Sequence, residues 1–282
     1  MIIEKFNYYY LAGIGAMLLL TLILGLILKG KDNSVQKKIL LVVAFLGFAA
    51  HFSKLLLPEY KELWPLSIKY VTFDSIRSVG VILFPFILLG NNKFAKDYMF
   101  YMGIICSLAA IAYPLDVFGK ELTDVNVIMY YVINTITFMV PLYMVLCGLH
   151  SIDLKRILFL PVSFLLVLSL ILVNEIILME MGFVNVRNGM FLYPNYRDDS
   201  FVFGPRSELA EFTQKFIDPL VPKPFKTIMV GTYKDAIKYT PVLWLLVPSF
   251  IYLTVAAGAI YFIFVKVFKK GDGGSYSSRD FF

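Results

Sequence analysis

The chain has 282 residues, of which 59% are apolar and only 16% charged, and its mean hydropathy is +0.75. Soluble domains carry roughly 45–50% apolar and 25% charged residues, so a water-soluble domain, a disordered chain and a coiled coil all fit poorly. The 26 basic residues exceed the 20 acidic ones, for a net charge of +6, but they gather in short loops beside apolar runs. That placement suits membrane insertion and anionic headgroups and gives no reason to expect nucleic acid.

Taken in chain order, seven apolar segments are long enough to cross about 30 Å of hydrocarbon at 1.5 Å per residue. They are about 8–29, 38–57, 68–90, 98–118, 126–149, 157–180 and 241–268. The expected fold class is therefore an all-α membrane protein, a single seven-helix bundle over residues 1–270. The first run is too long for a signal-peptide core and has no small-residue cleavage pattern. The third is interrupted by Asp74 and Arg77, and Gly90-Asn91-Asn92 reads as its C-terminal stop. Segment 181–240 is the one sizeable extramembrane element, with an amphipathic helix opening at Ser207 and running to Ile217. Residues 271–282 read as a flexible tail.

Orientation follows from the lysines and arginines of the short connections. Twelve lie on one side: Lys29, Lys31, Lys37, Lys38, Lys93, Lys96, Lys155, Arg156, Lys266, Lys269, Lys270 and Arg279. Five lie on the other: Lys5, Lys54, Lys61, Lys69 and Lys120. The expectation is an N-terminus outside, a cytoplasmic C-terminus and a plasma-membrane location.

Polar residues within spans are costly and face a bundle interior or a watery cavity. Here they fall in one leaflet: His51 in the second span, Asp74 and Arg77 in the third, Asn134 in the fifth and Glu175 in the sixth. Asp74, Arg77 and Ser78 would share a helix face. These residues predict an outward-facing polar cavity lined by His51, Asp74, Arg77, Asn134 and Glu175, binding a lipid headgroup or a small solute. The competing reading for Asp74 and Arg77 is a buried ion pair that fixes helix register. Cys106 and Cys147 lie in apolar runs without a partner histidine or cysteine at ligand spacing, so neither a metal nor a cofactor is expected. No nucleophile elbow, zinc-protease helix, phosphate loop or dinucleotide fingerprint occurs. Membrane lipids are the expected partners, with other membrane subunits if the chain belongs to a larger assembly. An intramembrane acyltransferase or hydrolase is the alternative in the enzyme class, and a structural subunit is the third reading.

Several short stretches carry a family resemblance. They are Trp64-Pro65-Leu66, Phe84-Pro85-Phe86-Ile87-Leu88-Leu89, Pro141-Leu142-Tyr143-Met144-Val145 and Asn188-Gly189-Met190-Phe191-Leu192. Over residues 38–195 the chain resembles the YwaF family of bacterial integral membrane proteins, itself similar to a eukaryotic acyltransferase acting on phospholipids. The resemblance implies a seven-span scaffold. It also implies a cysteine where this chain has Lys69 and a histidine where it has Asn134. An ammonium cannot do thiol chemistry and an amide cannot act as a general base, so no catalytic residue carries over.

Overall fold

The computed structural model describes residues 2–184, 200–229 and 236–268. Among these the fold is predominantly helical, and six helical stretches are long and apolar enough to cross a membrane. They are Tyr8–Leu28, Asn33–Leu56, Lys93–Ala112, Val125–Leu146, Leu154–Glu180 and Leu243–Lys266. Their apolar outer faces are uncovered; Leu18, Leu22 and Leu26 of the first are each more than half exposed. Such a surface is intelligible with lipid as its solvent. The chain is a multi-pass membrane protein of the all-α class.

The helices in order are α1 (Tyr8–Leu28), α2 (Asn33–Ser53), α3 (Pro58–Glu62), α4 (Ile76–Leu89), α5 (Lys93–Ala112), α6 (Val125–Leu146), α7 (Leu160–Glu180), α8 (Ala210–Phe212) and α9 (Leu246–Phe268). Two three-residue strands, β1 (Lys226–Ile228) and β2 (Ile237–Tyr239), pair antiparallel with Thr227 opposite Lys238.

The expected span at 68–90 takes a different form. Leu66–Val71 is a 3-10 turn and α4 begins only at Ile76. Its 14 residues reach about 21 Å, short of the roughly 30 Å of hydrocarbon. Polar residues explain the break: Asp74 and Ser75 hydrogen-bond locally with Ser78, which competes with continuing the helix. The expected stop at Gly90-Asn91-Asn92 does double duty. α4 ends at Leu89, and the Asn92 side chain accepts from Phe94 N (2.9 Å) and Ala95 N (3.2 Å), capping the start of α5.

The chain divides into two units. The first holds Met1–Ser53, Gly80–Arg156 and the end of α9 from Gly258; the second holds Lys54–Val79 and Ile157–Ala257. In the first unit α6 is the hub, packed by α1, α2 and α5. With lipid outside, close approach of backbones and interhelical hydrogen bonds hold such helices together. Tyr143 of α6 donates its hydroxyl to Thr21 O of α1 at 2.8 Å, passing over Gly25, where a Cβ would come within 2.3 Å of it. Between α5 and α6, Ser107 Oγ and Thr137 Oγ1 share a hydrogen bond of 2.9 Å. Gly103 permits that approach: a Cβ there would lie 2.7 Å from Pro141 Cγ and 2.7 Å from Thr137 O. Gly103→Ala is therefore expected to destabilise the protein by about 1–3 kcal/mol through overpacking, read as a lowered thermal midpoint in detergent. Gly15, where nothing lies within 4 Å, is the control position for the same substitution. At the N-terminal end, Ile3 exchanges backbone hydrogen bonds with Lys120 and Gly119, and packs with Tyr10, Val117, Val127, Tyr130 and Tyr131.

In the second unit the described part of 181–240, continuing into α9, builds a small core of its own. Trp244 is 1% exposed, and its indole N–H donates to Phe201 O at 3.0 Å. Val202, Phe203 and Tyr239 are buried too, and the Tyr239 hydroxyl donates to Asp218 Oδ1 at 2.6 Å. The expected helix over 207–217 forms as a run of 3-10, α and π turns. The stretches Tyr193 to Asp199 and Asn188 to Leu192, and the tail 271–282, lie outside the described residues.

Candidate functional site

The five residues expected to line one cavity divide between the two units. Asp74, Arg77 and Glu175 belong to the second. Asp74 precedes α4, so it does not share a helix face with Arg77 as expected. It does meet Ser78: the Ser78 hydroxyl donates to Asp74 Oδ1 at 2.5 Å and the Ser75 hydroxyl at 3.2 Å. Ser75 and Ser78 are buried, while Asp74 and Arg77 are half-buried and keep access to the surface.

Glu175, near the end of α7, is fully buried. Its carboxylate lies 3.5 Å from the ammonium of Lys69, whose side chain is 19% exposed. Beside it Asn174 Nδ2 donates to Thr72 Oγ1 at 3.1 Å, and that hydroxyl donates to Lys69 O at 2.9 Å. The 66–72 turn is thus fastened to α7 by one ion pair and one hydrogen-bonded chain. Fully buried, Glu175 costs several kcal/mol to keep charged without compensation, and Lys69 supplies it. The Lys69 Nζ faces a carboxylate. The carboxylates Asp74 and Glu175 lie among the basic groups Lys54, Arg77 and Lys69. Such a mixed set suits a polar or zwitterionic ligand.

His51 and Asn134 belong to the first unit, and both are 2% exposed. The His51 ring meets Phe52 edge-on at 5.6 Å between centroids. Asn134 turns its amide onto its own helix, donating to Tyr130 O at 2.8 Å. Thr135 and Thr137 bond back to Tyr131 and Ile133 in the same way. These polar side chains satisfy backbone carbonyls inside an apolar bundle.

The first unit also holds a charged cluster that the depth of residues in the sequence does not reveal. Asp97 lies in the second turn of α5, with its side chain 5% exposed. Its Oδ1 is 2.7 Å from His150 Nε2 and its Oδ2 accepts from Arg156 Nε at 2.5 Å. Arg156 also donates to Ser151 O and stands 3.7 Å from Asp153 Oδ2. The helix starts at Lys93, five residues before the expected span, which is what draws Asp97 into the protein. Histidine, carboxylate and guanidinium fasten the 147–156 connection to α5. Each charge has a partner, and the arrangement is that of a clasp.

Among the described residues no group of three histidines, cysteines, aspartates or glutamates could hold a metal ion, and both cysteines are free. Comparison with family models, curated proteins and solved structures finds no match to this chain.

Proposed function

We propose that this multi-pass membrane protein binds the polar head of a lipid, or a small solute of the same chemistry, at the cluster of the second unit. Asp74 and Arg77 hold the ligand, and the Lys69–Glu175 pair keeps the 66–78 segment in place. The observation that carries the reading is the fully buried Glu175 paired to Lys69 beside half-buried Asp74 and Arg77. An apolar protein maintains so costly a set where it meets polar matter. In this reading the chain crosses a plasma membrane seven times. The third crossing is completed by the polar turn ahead of α4, and the basic connections face the cytoplasm, so the cluster opens outward. The resemblance to the YwaF family belongs to the same proposal, as a lipid-handling scaffold without the cysteine. A role as one subunit of a larger membrane assembly is compatible with it. His51 and Asn134 are left out of the ligand set, because Asn134 donates to its own helix.

The test uses the full chain in mild detergent, with phosphatidylethanolamine as the zwitterionic probe and retention read by native mass spectrometry. Asp74→Ala and Arg77→Ala are each expected to lower retention about tenfold or more, the loss of roughly one charge-assisted contact, while the helical circular dichroism stays unchanged. Wild-type retention in both variants rejects the proposal.

A further inference from the structure

In the second unit, segment 207–217 carries two exposed aromatic rings that its small core leaves out. Phe212 is 55% exposed and Phe216 45%, and the two rings lie against each other with centroids 4.9 Å apart. Thr213 between them is buried and Ile217 half-buried, while Glu208, Glu211, Gln214 and Lys215 are exposed. The Lys215 ammonium lies 5.4 Å from the centre of the Phe216 ring, so a cation borders the aromatic pair. Two adjoining rings facing water would be a standing hydrophobic cost.

A hydrogen bond sets their level. Tyr252 of α9 donates its hydroxyl to Phe216 O at 2.6 Å. Tyr252 lies within the apolar stretch Leu243–Lys266, about 14 Å from its start and about 21 Å from its end at 1.5 Å per residue. The side chain leans back toward the helix start but is too short to reach it, so Phe216 O is met inside the stretch that crosses the membrane. The surface of α9 around this point is itself open: Phe250, Ile251, Tyr252 and Val255 are each at least 41% exposed. Lipid is the solvent of that face, and Phe216 is bonded to it. An amphipathic segment with rings on one side and charges on another rests in the interface with its apolar face about 5–10 Å deep. We propose that segment 207–217 is such an element. Phe212 and Phe216 dip into the acyl chains of the leaflet in which α9 begins, and Glu211 and Lys215 stay at headgroup level. The partner of this surface is the lipid itself.

Nitroxide labels are placed at Phe212→Cys, Phe216→Cys, Glu211→Cys and Val255→Cys, one at a time, in the full chain in phosphatidylcholine nanodiscs. The parent chain, labelled in parallel, measures the contribution of Cys106 and Cys147. Relaxation of each label by oxygen, which partitions into lipid, is compared with relaxation by a water-soluble nickel chelate. The oxygen-to-nickel ratio at 212 and 216 is expected to exceed that at 211 about fivefold or more and to approach that at 255. A ratio at 212 and 216 equal to that at 211 puts the rings in water and overturns the proposal. Low access to both agents at 212 and 216 puts them under protein, a second copy of this chain included, and overturns it as well. Each substituted side chain is exposed, so the labels should leave the fold intact, which helical circular dichroism checks.

Discussion

Asp97→Ala is expected to lower stability by about 3–5 kcal/mol, the effect of removing one partner from a buried ion pair. The carboxylate answers to two groups at once: Arg156, whose side chain is 16% exposed, and His150, at 4%. Without it the guanidinium keeps, as hydrogen-bond and ion-pair partners among the described residues, Ser151 O and the distant Asp153. The 147–156 connection would come away from α5. Thermal unfolding in detergent should show a much lower midpoint, and limited proteolysis should cut near Ser151. Asp97→Leu combined with Arg156→Leu should be more stable than Asp97→Ala, since no charge is then left alone. An unchanged midpoint in Asp97→Ala would mean that the clasp contributes nothing.

Glu175→Gln is the second large effect. It keeps the shape of the side chain but leaves the Lys69 ammonium without its carboxylate, and the expected cost is about 3 kcal/mol. Combining it with Lys69→Met should restore most of that stability, because the ammonium that faced Glu175 is then gone. The double variant also separates two roles. If the pair only fastens the 66–72 turn to α7, phosphatidylethanolamine retention recovers along with stability. If the charges themselves face the ligand, the midpoint recovers while retention stays low.

Six of the expected spans are legible in the sequence because each is an apolar run of sufficient length, and lipid-facing helices need little else. The region around the third is less legible. Continuous apolar residues from Val79 to Leu89 suggest a full crossing, but Ser75 and Ser78 hydrogen-bond with Asp74 and begin the helix late. Glu175 stands out from its position in an apolar run, while its partner Lys69 is 106 residues away at the start of the expected third span, and nothing local in the sequence pairs the two. His150 gives still less warning. It falls in a connection, where polar residues are normal, and its meaning depends on Asp97 at a separation of 53 residues. The local signal is the start of α5: Asn92 caps it, which places Asp97 within the helix.

The reliance of α1 on α6 has a consequence for biogenesis. Thr21 and the Tyr143 that hydrogen-bonds to it are 122 residues apart, an interval of roughly 6–24 s at ordinary translation rates of about 5–20 residues per second. Throughout that delay the newborn first helix lies in the bilayer without its mate, its glycine notch open to any passing transmembrane segment. A helper in the insertion machinery that shields this notch until α6 emerges would raise the yield of correctly assembled chains. Slowing the ribosome between the two helices would lower it.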